Sequence, residues 1–404
     1  MVENILEQIE PRSLGAKLQA ARKQRGLTQL AVAEELEMAR TTIVAIEKGE
    51  RRLMPRELIS LAALYGRAVS ELLNRKVETA SFAPQFRQVW REDFAADIEL
   101  APVADELQRR AEDYVELERI CGITNTRPLP PPYSLEGTSP EQAAEEIAIA
   151  ERNRLGIGDG PLSNLRERLE TDVGLRIFYF PMPSKVSGLF AYNDVVGGCV
   201  GINSKHPGDR RSWSLAHEYG HFLTNRYQAE IMFLTDKRRQ SALERFADAF
   251  AENFLMPASG LNRRFTELHR ASPGGITLAQ VCTLAHLYQV SVQALVIRLE
   301  KLRRLPNGTW DGLASENFKP RQAEKLLGLD KAARSSDELP RRYLTLAVMA
   351  YENGDLSEGQ LAKFLRADRV TARLLVEEIS LNYKEAESGF DRFEVDLTHS
   401  LAGR

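Results

Sequence analysis

The chain has 404 residues, 43% apolar and 27% charged, with a net charge of −3; those values suit two or three folded domains and exclude a disordered or collagen-like chain. Its three cysteines, Cys121, Cys199 and Cys282, are far apart and odd in number, which excludes a disulfide framework and a cysteine-based zinc site. No apolar run reaches the ~18 residues that cross a bilayer, and residues 1–13 lack the basic-then-apolar order of a secretory signal, so a cytoplasmic protein with no membrane partner is expected.

In chain order, residues 14–25 are amphipathic and stop at Gly26, a helix C-terminal signal. Thr28 caps a second helix from Gln29 to about Leu36. A third runs from about Ala39 to Lys48 and ends at Gly49. A fourth starts near Pro55, with Leu58, Leu61, Ala62 and Leu64 on one face. Residues 12–76 hold 13 Lys/Arg against 7 Glu, a net +6 in a chain of net −3. That is the footprint of phosphate contact.

Residues 104–120 read as helix, and 122–140, with Pro128, Pro130, Pro131 and Pro132, as an extended linker and domain boundary. Helical patterns resume at 140–156 and 162–171. Residues 175–180 are rich in aromatic and branched residues and read as a strand, with further strands at Val186–Tyr192 and Gly198–Asn203. Helices follow at about 211–226, 240–255, 276–304 and through 340–386. The expected fold is multidomain and mainly α. An all-α domain occupies 1–75, and a helical segment with the Pro-rich linker 76–139. An α+β domain with a small sheet occupies 140–305, and a helical module, regulatory or substrate-docking, 306–404.

The chemistry lies in His217-Glu218-Tyr219-Gly220-His221. His217 and His221 are i and i+4 on a helix, so their imidazoles share a face and can share a metal ion. Neutral imidazole suits Zn²⁺, and Glu218 projects beside the pair as a general base. Further on, Glu244 and Asp248 are one turn apart. Glu244 supplies a third ligand, and Asp248 an acceptor for the outer N–H of a ligand histidine. Tyr192, Tyr227, Arg210 and Arg211 are candidates to stabilise an oxyanion, and the sequence does not choose among them. His206, His269, His286 and His399 have no motif around them.

Residues 213–223 (WSLAHEYGHFL) and 242–257 (ALERFADAFAENFLMP) resemble the ImmA/IrrE metallopeptidases, over roughly residues 140–305. The resemblance implies a zincin-like fold, Zn²⁺ as cofactor and a transcriptional repressor as substrate. Tyr219 departs from the family, where many members have Leu.

Residues 12–73 resemble the helix-turn-helix domain of the xenobiotic-response-element and phage-repressor family, through Arg22-x-x-Arg25-Gly26-Leu27-Thr28-Gln29, Ala33, Ile43 and Ile46-Glu47-Lys48-Gly49. The resemblance implies that the Ala39–Lys48 helix enters the major groove of a double-stranded operator with Arg40, Thr41, Val44 and Ala45 outward. Gln29, Arg51 and Arg52 are then phosphate contacts, Arg22 and Glu47 an internal ion pair, and the protein a homodimer. Ala39 stands where the family has a capping Ser or Thr.

Together these predict a DNA-binding regulator whose zinc endopeptidase relieves repression in a stress response, cutting itself in the 76–140 linker or cutting a partner repressor. Tethering favours the first. The alternative is a transcription factor whose peptidase-fold domain only senses a ligand or metal. Single-stranded DNA, a small molecule and zinc availability stay open as inducers.

Overall fold

The computed structural model describes residues 11–65, 100–123, 129–233, 241–272, 275–329 and 338–387, with Val69, Phe82 and Phe86. It divides into two compact units, Met1–Glu78 and Thr79–Arg404.

The first unit holds helices α1 (Pro11–Gln24), α2 (Gln29–Glu35), α3 (Arg40–Glu47) and α4 (Pro55–Tyr65). Thr28 Oγ1 accepts from Ala31 N at 3.1 Å, the cap that its position predicts. Ala39 begins α3 without a side-chain cap. Leu18, Val32, Ile43, Ile46, Leu58 and Leu61 form the core. A Cβ at Gly15 would sit 2.5 Å from Ile46 O, so α1 crosses α3 where only glycine fits.

Glu47 ties the helices together. Its carboxylate receives Arg22 Nε at 2.6 Å and Nη2 at 3.0 Å, and Gln29 Nε2 at 2.8 Å. Burial alone would raise its pKa, but these hydrogen bonds and the charge of Arg22 hold it below the ordinary value. A depressed folded pKa contributes stability above the unfolded pKa, ~4.3, and that contribution is lost as pH falls through the lower folded value. Glu47→Ala leaves Arg22 buried and unpaired, with an expected cost of about 3–5 kcal/mol. Amide exchange over residues 11–65 of the full chain should speed up at pH 7, and the difference from wild type should shrink in acid.

The second unit centres on a four-stranded sheet, β1 (Arg176–Phe180), β2 (Val186–Asn193), β3 (Gly197–Asn203) and β4 (Glu230–Phe233), in the order β1-β3-β2-β4. β1 is parallel to β3, and β2 is antiparallel to both β3 and β4. Before the sheet come α5 (Ala101–Ile120), α6 (Pro140–Arg154) and the short α7 (Leu165–Arg168). After β3 comes α8 (Gly208–Asn225), and after β4 come α9 (Ala242–Leu255), α10 (Ala258–Ala271), α11 (Leu278–Leu287) and α12 (Val292–Lys301). The chain continues through α13 (Thr309–Ser315), α14 (Pro320–Leu326), α15 (Arg341–Glu352), α16 (Glu358–Leu365) and α17 (Arg369–Glu387). The mainly helical class with a small sheet is borne out. Among the described residues no single helix is long and apolar enough to cross a membrane.

Alternation along the strands gives the sheet two apolar faces. Ile177, Phe190, Val200 and Ile202 pack with α6, α8 and α9. Phe178, Phe180, Leu189 and Cys199 pack with Leu107 and Tyr114 of α5 and Tyr343 and Leu346 of α15. The sequence sets 76–139 and 306–404 apart from the sheet region. In the structure α5 and α15 cover one face of that sheet, and Glu118 of α5 pairs with Arg176 of β1 at 2.7 Å. The Pro-rich stretch, expected as a linker, is docked at its described end: Tyr133 N donates to Leu223 O at 2.9 Å. Periodicity reveals an amphipathic helix but not the surface that buries it.

Candidate metal centre

α8 carries the motif with its functional side chains inward: His217, Glu218 and His221 are 2%, 0% and 1% exposed. α9 lies alongside. Its start is set by Ser241, whose Oγ accepts from Glu244 N at 3.1 Å. Gly220 is the point of close approach, where a Cβ would meet Phe250 Cδ1 at 3.2 Å and Ala247 Cα at 3.3 Å. That proximity brings the two carboxylates of α9 to the histidines.

His217 Nε2 and His221 Nε2 are 3.1 Å apart. Glu244 Oε2 is 3.5 Å from the first, and Oε1 is 3.2 Å from the second. Tetrahedral ligands at ~2.0–2.1 Å from one zinc ion stand ~3.3 Å apart, so this spacing fits such an ion. Among the described residues it is the group of three metal-type ligands that converges. Asp248 Oδ1 is 2.9 Å from His217 Nδ1. A carboxylate only accepts, so Nδ1 donates, and in the neutral ring that leaves the Nε2 lone pair facing Glu244 and His221. His221 Nδ1 is buried and has no hydrogen-bond partner among the described residues.

The field at this centre favours a cation. Burial opposes a charge on His217, yet hydrogen bonds to Asp248 and Glu244 and the negative charges of Glu218 and Glu244 push its pKa up to about 10. Burial likewise opposes charge on Glu244, but the hydrogen bonds and charges of both histidines hold its carboxyl far below the ordinary range. Glu218 lies against β2, where a Cβ at Gly188 would come within 3.1 Å of its Oε1 and 3.0 Å of Ile202 Cδ1. Glycine there leaves room for the carboxylate.

The structure sorts the oxyanion candidates. The rings of Tyr192 and Tyr227 pair edge to face at 5.3 Å, with Tyr227 just beyond the end of α8. Arg211 lies over Tyr179 at 5.0 Å. Burial lowers the pKa of Arg210, and the charges of Asp209 and Asp248 oppose that. His206 Nε2 is 3.2 Å from Ser184 O, and His269 stacks on Phe265. Neither joins the centre, nor does His286; His399 lies outside the described residues.

Sequence reasoning missed what stands behind the motif. The hydroxyl of fully buried Tyr219 donates to Glu151 Oε2 and receives Arg154 Nη2 at 3.0 Å. Tyr133 Oη donates to Glu151 Oε1 at 2.9 Å, and Arg154 pairs with Glu151 at 2.7 Å. A phenol on an otherwise apolar helix face (Leu215, Ala216, Phe222, Leu223), with a Glu and an Arg three residues apart on α6, was the available signal.

In the helix-turn-helix unit Arg40, Thr41 and Arg52 are exposed, and Val44 and Ala45 half-buried. Gln29 is engaged with Glu47, and Arg51 Nη2 with Glu57 Oε1 at 2.8 Å, so two of the three expected phosphate contacts are occupied within the unit.

The family model of the IrrE N-terminal-like domain matches residues 170–300, and a helix-turn-helix model matches residues 18–72. No curated protein matches. Two solved structures are similar at 12% identity. One is ComR from S. thermophilus in complex with DNA and its signalling peptide ComS, over 89% of this chain and 99% of that one, with a TM-score of 0.19. The other is PlcR from Bacillus thuringiensis in complex with the peptide PapR7 and DNA, over 94% and 100%, with a TM-score of 0.17. Both resemblances read from the motifs are borne out: the chain joins a helix-turn-helix DNA-binding domain to an IrrE-like domain of a metallopeptidase family.

Proposed function

We propose that this protein is a cytoplasmic, DNA-binding transcriptional regulator with a zinc-dependent endopeptidase that relieves repression by cleaving itself or a partner repressor. The observation that carries the reading is the convergence of His217 Nε2, His221 Nε2 and the Glu244 carboxylate within 3.1–3.5 Å on a buried face that also holds Glu218. A pure sensor has no use for a carboxylate that is not a ligand there.

His217, His221 and Glu244 would hold the zinc. When bound, it supplies a Lewis acid that acidifies water and polarises a carbonyl. Glu218 takes the proton from the attacking water at a carboxylate oxygen and passes it to the leaving amine. Asp248 keeps His217 in the tautomer that presents Nε2. Gly188 keeps the wall of β2 clear of Glu218. The α3 helix reads the operator through Arg40 and Thr41, with Val44 and Ala45 at its edge. Arg52 is the exposed candidate for phosphate, and Gln29 and Arg51 reach it only by leaving Glu47 and Glu57. The active form is a homodimer on paired half-sites.

The test is intact-mass spectrometry of zinc-loaded protein incubated with double-stranded operator DNA, a partner repressor and either single-stranded DNA or a small-molecule inducer. Fragments should form and should disappear with a chelator. His221→Ala should lower zinc content from about one ion per chain to under a tenth, because two ligands do not close a zinc site. Full-length wild type binding no zinc, or leaving itself and every partner uncut, overturns the peptidase reading.

A further inference from the structure

Arg210 stands apart from the other arginines of its unit. Arg176 closes on Glu118, and Arg298 on Glu252 and Asn253. Arg211, its neighbour, spends its guanidinium on Tyr179. Arg210 is half-buried, and its buried Nε, like those of Arg176 and Arg211, meets no hydrogen-bond partner among the described residues. Burial holds its pKa below the ordinary value, and the charges of Asp209 beside it and Asp248 at the metal centre oppose that.

Position gives this cation a use. Arg210 precedes His217 by seven residues on α8. Seven residues are close to two turns, so both side chains leave the same face, with their Cα atoms ~10.5 Å apart along the axis. An extended polypeptide advances ~3.3 Å per residue, so that distance spans about three substrate residues. A guanidinium binds a carboxylate as a two-pronged partner, and partial burial strengthens the attraction.

We propose that Arg210 is a specificity-determining residue that receives the side-chain carboxylate of an Asp or Glu about three residues from the scissile bond. This rests on the zinc-peptidase reading above and adds a substrate class to it: polypeptides acidic on one side of the cut.

The test uses full-length, zinc-loaded protein and tetrapeptide hydroxamates, whose hydroxamate chelates zinc. One series carries the chelating group at the C-terminus and one at the N-terminus. Each has a single Glu or Gln scanned over three positions. Zinc content is measured first for every variant. In wild type, Glu should outbind Gln at least tenfold at one position of one series. In Arg210→Gln that ratio should fall below twofold while the Gln peptides bind as before, and Arg210→Lys should restore part of it. A wild type without Glu preference at any position overturns the assignment, as does a preference that survives in Arg210→Gln. Failure of every hydroxamate to bind zinc-loaded wild type overturns the zinc-peptidase reading, and this assignment with it.

Discussion

Glu218→Gln should lower cleavage by about 10²–10⁴-fold, the usual contribution of a general base, and leave zinc content at the wild-type value. The amide has the shape of the carboxylate, so it fits the space that Gly188 leaves beside it. It cannot take up a proton. The ligands His217, His221 and Glu244 are untouched, as is the hydrogen bond from His217 to Asp248. The pair of readouts separates this variant from His221→Ala, which should lose zinc and cleavage together. Operator binding should be unchanged in both, since the site and the helix-turn-helix belong to different units. Derepression in cells should therefore fail although DNA is still recognised. A Glu218→Gln protein that cuts at the wild-type rate removes the base from the mechanism. One that has lost its zinc shows Glu218 holding the centre together.

How much of this was legible in the sequence depends on the range of the interaction. The helix-turn-helix was written locally: Thr28, Gly26, Gly49 and Pro55 start or stop helices by their own local chemistry, and all four do so in the structure. His217 and His221 were equally readable, because helical geometry alone puts i and i+4 on one face. Glu244 and Asp248 came from the same rule applied to a second helix, and α9 brings both to the histidines through the gap at Gly220. What escaped were contacts between distant segments. Four-residue β4 exists because β2 pairs with it, and no pattern of its own announces it. The packing of α5 and α15 on the sheet joins segments more than 200 residues apart. Phosphate roles for Gln29 and Arg51 followed from the family pattern, which does not reveal that Glu47 and Glu57 occupy them.

Tyr219 is the most instructive of these. By pattern it is a bulky residue where Leu is common, and any apolar side chain should serve. In the structure its ring packs among Phe222, Phe250 and Phe254, and its hydroxyl reaches a carboxylate that is wholly buried. Glu151→Ala should therefore be strongly destabilising, by about 3–5 kcal/mol, because Arg154 and two phenols lose a common partner inside the fold. For a unit of this size each kcal/mol moves the melting point by about 2–4 °C, so a fall on the order of 10 °C is expected. Glu151→Gln should cost less, since its amide oxygen still accepts from one phenol while the pairing with Arg154 weakens. Tyr219→Phe should cost about 1–3 kcal/mol, because it removes both the donation to Glu151 and the bond received from Arg154 while leaving those partners buried. The double variant decides whether these residues act as one network: with Glu151 already gone, Tyr219→Phe should cost clearly less than it does in the wild type, because only the bond from Arg154 is left to lose. Additive losses in the double variant would mean that the Tyr219 hydroxyl acts independently of Glu151, through its bond from Arg154. Because the same helix turn carries His217, Glu218 and His221, zinc affinity should fall in Glu151→Ala under conditions where the chain is still folded. Unchanged zinc affinity would show the network supporting the fold without aligning the centre.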